Sequence, residues 1–386
     1  FSQLDWVNAG EMTNQGWEMT MNTARFAKVG KFSMKLRANL TQYYNQVKEM
    51  NPLILENLNG SETYEPTNLS WNQRVQVGNA LGSIYGLKSK GVYRYDYEHN
   101  GYTNGSWSTY GYAEVDANGN RLNSVEEAAM YGTGYDSKGY AINTAAAAAR
   151  RGENNTCPIA YDAQGNMLTD AKGNPMPMYY CYTEGSRYQF QGGDAIYEDV
   201  NHDGNIDRYD MVYLGNSNPK IYGGFGINLY YDRFELNASF NYRIGNQIVN
   251  SARANYESML NNTNQSYATT WRWRQNGDIT EIPRALTSRE GYSSYNSLPS
   301  DRYVENGDYL RLQYIQIKYN FDTKKAWMKT CGFKSMYLSA TINNVACWTK
   351  YTGVDPEVSI GGYSVATDNS KTPRAKSFTA SINVGF

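Results

Sequence analysis

The 386-residue sequence has no long hydrophobic run. Nothing in it approaches the roughly 18–20 consecutive apolar residues that a membrane-spanning helix requires, and the mean hydropathy is -0.69, so a helical membrane protein is excluded. Histidine is scarce, with two residues, His99 and His202. A Gly-x-Ser-x-Gly elbow, a zinc-spaced His/Cys cluster and a phosphate-binding loop are all absent, and no enzyme class is indicated. An excess of one charge is absent as well: 36 Lys and Arg against 37 Asp and Glu leave a net charge of -1. That removes the electrostatic case for a nucleic-acid partner. The four cysteines show no metal spacing. Cys157 and Cys181 share a polar, Gly-rich region where a disulfide can form in an oxidising compartment, whereas Cys331 and Cys347 flank a predicted strand and are not expected to pair. The chain opens at Phe1 without Met or signal sequence, as expected of processing or of a fragment.

What the chain does have is 36 Tyr, 35 Gly and long stretches of strict alternation. From Ser377 to the end, Phe378, Ala380, Ile382, Val384 and Phe386 share one face, and Ser377, Thr379, Ser381, Asn383 and Gly385 the other. A two-residue period puts such a set on one side of a pleated strand. Residues 15–27, 31–45, 221–231, 234–249, 308–321 and 334–347 read as further strands, the first pair closing through Lys28-Val29-Gly30 and the second through Asp232-Arg233. A change of phase near Tyr314 predicts a bulge. The second face carries charged residues (Lys35, Arg37, Glu235, Arg243, Arg311, Lys318). A sandwich also alternates, but strands of about 14 residues are long for it. The reading is an all-β fold, a transmembrane antiparallel β-barrel with lipid outside and a wet lumen. Links after 27, 231 and 321 are short and those after 45, 249 and 347 are long, which puts the long loops outside the cell and the C-terminus in the periplasm. The predicted division is 1–45 for the first barrel hairpin, 46–220 for a long extracellular insertion, and 221–386 for the remaining barrel strands.

The insertion repeats one turn three times, at Asp116–Asn120, Asp162–Asn166 and Asp170–Asn174, where Gly and Asn tolerate positive φ. Helices are predicted over Ser124–Met130 and Ala141–Arg151. Its sharpest motif lies at 199–210. Asp199, Asn201, Asp203, Asn205, Asp207 and Asp210 follow calcium-loop spacing, with Gly204 at the sharp turn and Ile206 at the apolar position, so a structural Ca2+ is expected. The alternative is an Asp/Asn/Gly turn held by its own hydrogen bonds. Candidate ligand-contact residues are Tyr95, Tyr97, Trp107, Trp271 and Trp273 on the loops, whose faces suit sugar rings or peptides, and Arg311 on the lumen face. The alternative for the aromatics is packing within the insertion.

Five peptides occur in a recognisable order: Asn14-Gln-Gly-Trp-Glu18, Val77-Gly-Asn-Ala-Leu-Gly-Ser-Ile-Tyr-Gly86, Asp199-Val-Asn-His-Asp-Gly-Asn-Ile-Asp207, Gly215-Asn-Ser-Asn-Pro219 and Tyr351-Thr-Gly-Val-Asp-Pro-Glu357. Together they resemble the C-terminal part of SusC/RagA-type TonB-dependent transporters of Bacteroidetes. The resemblance implies the C-terminal strands of a 22-stranded barrel, import of oligosaccharides or peptides across the outer membrane, and a SusD-like surface lipoprotein lid. It also implies contact with outer-membrane lipid, and with TonB through an N-terminal part that has no counterpart here. Seven strands cannot close a barrel, and no plug is present, so a fragment is expected. Rival readings are a passive porin or structural barrel, and a soluble calcium-dependent glycan-binding β-protein.

Overall fold

Alternation over long segments produces one antiparallel sheet. Its strands are β1 (Gly10–Asn22), β2 (Phe26–Val29), β3 (Phe32–Met50), β4 (Ile221–Tyr231), β5 (Phe234–Ile244), β6 (Tyr309–Asn320), β7 (Ser335–Thr349) and β8 (Ser377–Gly385). The computed structural model describes residues 8–59, 71, 75–93, 134–135, 141–142, 160–174, 176–183, 186–190, 192–260, 263–274, 280–286, 295–358 and 365–386. The sheet order is β1-β3-β4-β5-β6-β7-β8, with β2 paired to the start of β3. The register aligns apolar residues row by row: Ala38, Phe225 and Phe240 lie side by side, as do Ile315, Ile342 and Phe378. Phe225 and Phe240 stack at 4.6 Å, a cross-strand pair worth roughly 0.2–1 kcal/mol.

Three local features set this register. Asp232-Arg233 forms the predicted two-residue turn, with Asp232 at φ 52, and Arg233 donates to Asp322 at 2.6 Å across to the next connection. The predicted phase change is a bulge against β5 at Gln313, between Leu312 and Tyr314. The first strand runs earlier than the sequence suggests, because Thr23 uses its hydroxyl to donate to Leu36 O (3.1 Å) and to accept from Leu36 N–H (2.8 Å), ending the β1 ladder there. In β4, glycines let neighbours lean across the strand. Tyr242 reaches over Gly223 to donate to Asn39 O at 3.2 Å, and Arg37 lies over Gly226 to donate to the Tyr314 hydroxyl at 2.8 Å.

The all-β transmembrane-barrel class expected from the sequence is corrected by this topology. Among the described residues the sheet is open: β1 and β8 are its two edges and do not pair. Helices also contribute, at Pro52–Asn59, Ser251–Glu257 and Ala326–Thr330, with several short 3-10 turns, giving a mixed structure. Alternation specifies which face each residue takes but says nothing about whether the edges meet. No described helix is long and apolar enough to cross a membrane. The apolar sheet face is open to its surroundings, with Met19, Phe378 and Ile382 between 57% and 69% exposed.

Beyond the strand ends with long connections lies a second body. Ser83–Gly86 pairs with Val212–Asn216, Ser89–Val92 with Ala195–Tyr197, and Gln247–Val249 with Val304–Asn306. Tyr85, Phe190, Ile206, Leu286 and Leu298 share one core, so the insertion packs against the segment before β6. At its centre the fully buried Asp194 accepts from Arg284 Nε (2.6 Å), Tyr188 Oη (2.6 Å) and Asn296 Nδ2 (3.3 Å). The predicted helix Ser124–Met130, the turn Asp116–Asn120 and Cys157 lie outside the described residues. Of Ala141–Arg151, Ala141–Ile142 are extended and pair with Gly134–Tyr135, which corrects the start of that predicted helix. Cys331 and Cys347 are free.

Gly193 (φ +87) sits against the Trp273 indole, 2.6 Å from Cδ2 to where a Cβ would stand. Gly193→Ala should therefore lower stability by about 1–3 kcal/mol through overpacking and backbone strain, read as a reduced denaturant midpoint by near-UV circular dichroism. An unchanged midpoint would remove this contact from the cooperative core.

Candidate functional site

The acidic loop is built from carboxylates over backbone N–H groups. Asp199 accepts from Gly204 (2.8 Å) and Asp203 (3.3 Å), Asp203 from Asn205 (2.7 Å), and Asp207 from Tyr209 (2.7 Å). Asp210 accepts from Val200 and Asp207, each at 2.8 Å. Asn201 bridges to Asp203 at 3.0 Å through its Nδ2, and its Oδ1 accepts from Asp203 N–H at 3.2 Å. Gly204 takes φ +81 at the bend, and Ile206 drops into the core with no exposed surface. Among the described residues no group of three or more His, Cys, Asp or Glu is placed to hold a metal ion. The Ca2+ expected at Asp199, Asn201, Asp203, Asn205, Asp207 and Asp210 is corrected accordingly. The residue types that converge ligands on an ion also accept from nearby backbone N–H groups, two residues on for Asp203 and Asp207 and four and five on for Asp199, and here the second use prevails. Burial pushes Asp210 up to about 7 and raises Asp199 and Asp207 above the ordinary carboxylate range, against the lowering by their backbone donors.

Arg311 is the best-placed of the candidate contact residues, and it is spoken for. It is 5% exposed. Its guanidinium donates to Asp355 at 2.5 Å and pairs with Glu357 at 3.1 Å, the latter without hydrogen-bond alignment. Arg374 meets the other Glu357 oxygen at 3.0 Å. Thus the Tyr351–Glu357 motif clamps the β7–β8 connection to β6. Trp273, 5% exposed, is core packing over Gly193. Trp271 is half-buried, edge-on to the exposed Tyr267 at 6.3 Å, and its carbonyl accepts from Thr280 Oγ1 at 2.5 Å. Tyr95, Tyr97 and Trp107 lie outside the described residues.

A second ionic network escaped sequence reading. Glu257, buried, takes Arg253 at 2.9 Å and Arg302 at 3.1 Å, and Arg253 also reaches Glu305 at 3.3 Å. Glu305 accepts from Thr352 N–H at 2.8 Å. Apart from Arg253 and Glu257, these partners are 45 to 52 residues apart, and no local motif marks them. The arrangement has no nucleophile-base pair and no converging donor set for chemistry. It is scaffolding at the loop end of the sheet.

Comparison with known proteins gives the geometry a context. No protein-family model matches the chain. A TonB-dependent receptor, P39, of Formosa agariphila is 28% identical over 391 aligned residues, covering 98% of this chain and 31% of its own length. The TonB-dependent receptor SusC of Bacteroides thetaiotaomicron is 25% identical over half of this chain and 18% of its own length. The chain is homologous to TonB-dependent receptors. It spans about a third or less of the curated relatives it matches. A solved structure of the RagAB peptide transporter superposes with a TM-score of 0.53 at 15% identity, over 98% of this chain and 30% of that one, a likeness of fold. These relatives are receptors and transporters rather than enzymes.

Two measurements test the site. Arg311→Met leaves Asp355 and Glu357 without their shared cation, and should cost about 3–5 kcal/mol, as for other broken buried pairs, with faster proteolysis between residues 350 and 376. Proteolysis at the wild-type rate would show that the clamp is not needed. Because Asp210 binds its proton more tightly folded than unfolded, its contribution is greatest at low pH and is lost as pH rises through about 7. Hydrogen exchange at Val200 and Asp207, corrected for intrinsic rates, should show greater protection at pH 5.5 than at pH 8, and Asp210→Asn should flatten the difference.

Proposed function

We propose that this chain is part of a SusC-like, TonB-dependent importer of the outer membrane that takes up oligosaccharides or peptides. The observation that carries the reading is homology to TonB-dependent receptors along 98% of the chain. Fold likeness to a peptide transporter over the same span supports it. The exposed apolar face of the sheet is the surface that meets membrane lipid, since contiguous apolar surface of this kind otherwise marks an interaction site. Residues 1–45 and 221–386 supply the sheet, and residues 46–220 supply the larger part of the loop body.

In this reading the loop body faces the cell exterior and the C-terminus faces the periplasm. A SusD-like lipoprotein closes over the loops, and TonB supplies energy through a part of the protein beyond this chain. The two ionic networks hold the loops as a firm docking platform. Among the described aromatics there, Tyr209, Tyr256 and Tyr267 are exposed and face cargo or lid in this reading.

Deletion of the gene in its host should abolish growth on the imported oligosaccharide or peptide as sole nutrient, with the same loss when TonB is deleted. Uptake that survives loss of TonB would overturn the energised importer in favour of a passive pore. Co-purification from detergent-solubilised outer membranes should recover a surface lipoprotein; recovery of the chain alone counts against the lid.

A further inference from the structure

The polar face of the sheet has a gap beside the loop body. Two rows cross the strands on that face, where they meet the long connections. One is Glu18, Thr41, Tyr222, Arg243 and Tyr309, and the next is Thr20, Asn39, Gly224, Asn241 and Arg311. Gly224 puts no side chain into its row. Asn39 Oδ1 stands 3.3 Å from where a Gly224 Cβ would be, and Asn241 is the neighbour on the other strand. The exposed Tyr222 and the half-buried Arg243 border the gap toward the loops. On its far side Arg37 lies over Gly226, tied to the Tyr314 hydroxyl.

The polar groups around this gap are not used by the fold. Asn39, Asn241 and Arg243 make no side-chain hydrogen bond or ion pair among the described residues, and Asn241 Oδ1 is buried without a partner. Nearby carboxylates are already engaged. Asp355 and Glu357 hold Arg311, and Glu357 also holds Arg374. Asp308 accepts from the Gly245 N–H at 2.5 Å. Glu18 stands in the Arg243 row but three strands away, about 14 Å by strand spacing. Arg243, Arg311 and Arg374 all act electrostatically on Tyr309. Of these three guanidiniums, Arg243 is the one with no carboxylate of its own.

We propose that this gap is a cargo subsite for an acidic sugar, with Arg243 on the carboxylate, Asn39 and Asn241 on ring hydroxyls, and Tyr222 against the ring. The planar guanidinium fork matches a carboxylate with two parallel hydrogen bonds. An amide both donates and accepts, as a hydroxyl does. The walls are amide, guanidinium and phenol, and they offer no aliphatic surface to the apolar side chains of a peptide. The subsite rests on the importer reading above and narrows its cargo to oligosaccharides that carry carboxylates.

Titration calorimetry on the full-length protein in bilayer discs compares tetragalacturonate with its methyl ester, which lacks the charges. The acid should bind about tenfold more tightly, the worth of one charge-assisted pair. Arg243→Gln should erase that difference, and Arg243→Lys should restore part of it. Asn39→Ala should weaken both probes alike. Arg243 has no partner to lose, so its variants should keep the wild-type circular dichroism spectrum. Equal binding of acid and ester, an acid preference that survives Arg243→Gln, or binding of neither probe overturns the subsite. Tetraglutamate is the third probe, and Arg243-dependent binding of it without the sugar overturns the sugar as source of the carboxylate. None of these results touches the importer reading, which fails separately if uptake survives loss of TonB.

Discussion

Every side chain in the sheet is placed by a period of two, and a slip of one residue in any pairing would exchange its faces. The chain guards against that slip at its turns and its bulge rather than by propensity alone. Asp232 accepts a positive φ so that Tyr231 and Phe234 meet directly. Gln313 is an extra residue against β5, and were the strand regular through it Leu310 and Leu312 would fall on the opposite face from Ile315 and Ile317. The glycines of β4 serve the same register from within. Gly223 and Gly226 admit Tyr242 on one face and Arg37 on the other, so that each face is tied across strands by a hydrogen bond.

The loop body depends on a different interaction, the burial of charge in pairs. Asp194 is fully buried, and three donors converge on it from segments as much as a hundred residues distant. Arg311 and Glu257 do comparable work nearer the sheet. Buried pairs of this kind contribute little net stability over apolar packing, but removing one partner is costly. Their effect is to allow one arrangement of the connections and to penalise the alternatives. A long insertion can thereby be held over the strand ends without a large apolar core beneath all of it.

Strand positions, the bulge at Gln313 and the Asp232-Arg233 turn were legible because each is a local consequence of residue order. So were the repeated turns at Asp162 and Asp170, where each carboxylate accepts N–H groups two and four residues on and Gly takes φ +83. The helices and short strands between the long strands were less legible, since they form through contacts distant in sequence. The Asp199–Asp210 spacing misled for a different reason: ion ligation and self-capping draw on the same residue types. Arg311 was found but its partners were not, because Asp355 and Glu357 lie 44 and 46 positions away and no pattern in the sequence joins them.

The two faces of the sheet impose opposite requirements, and this constrains where the chain can reside. On one face, Glu235 with Lys318 (3.7 Å) and Asn237 with Gln316 (3.3 Å) form polar pairs that tolerate water. On the other, Trp17, Met19, Ile317, Ile342, Phe378 and Ile382 stand at least 44% exposed, with nothing among the described residues folded over them. Leaving such a face in water forfeits roughly 25 cal/mol for each Å² that could be covered, and contiguous apolar patches on soluble monomers are small. The loop body does not turn to cover it; its apolar residues are directed into a core of their own around Phe190 and Ile206. The second core and the exposed sheet face thus obey different rules within one chain, and the importer proposed above assigns the exposed face to membrane lipid.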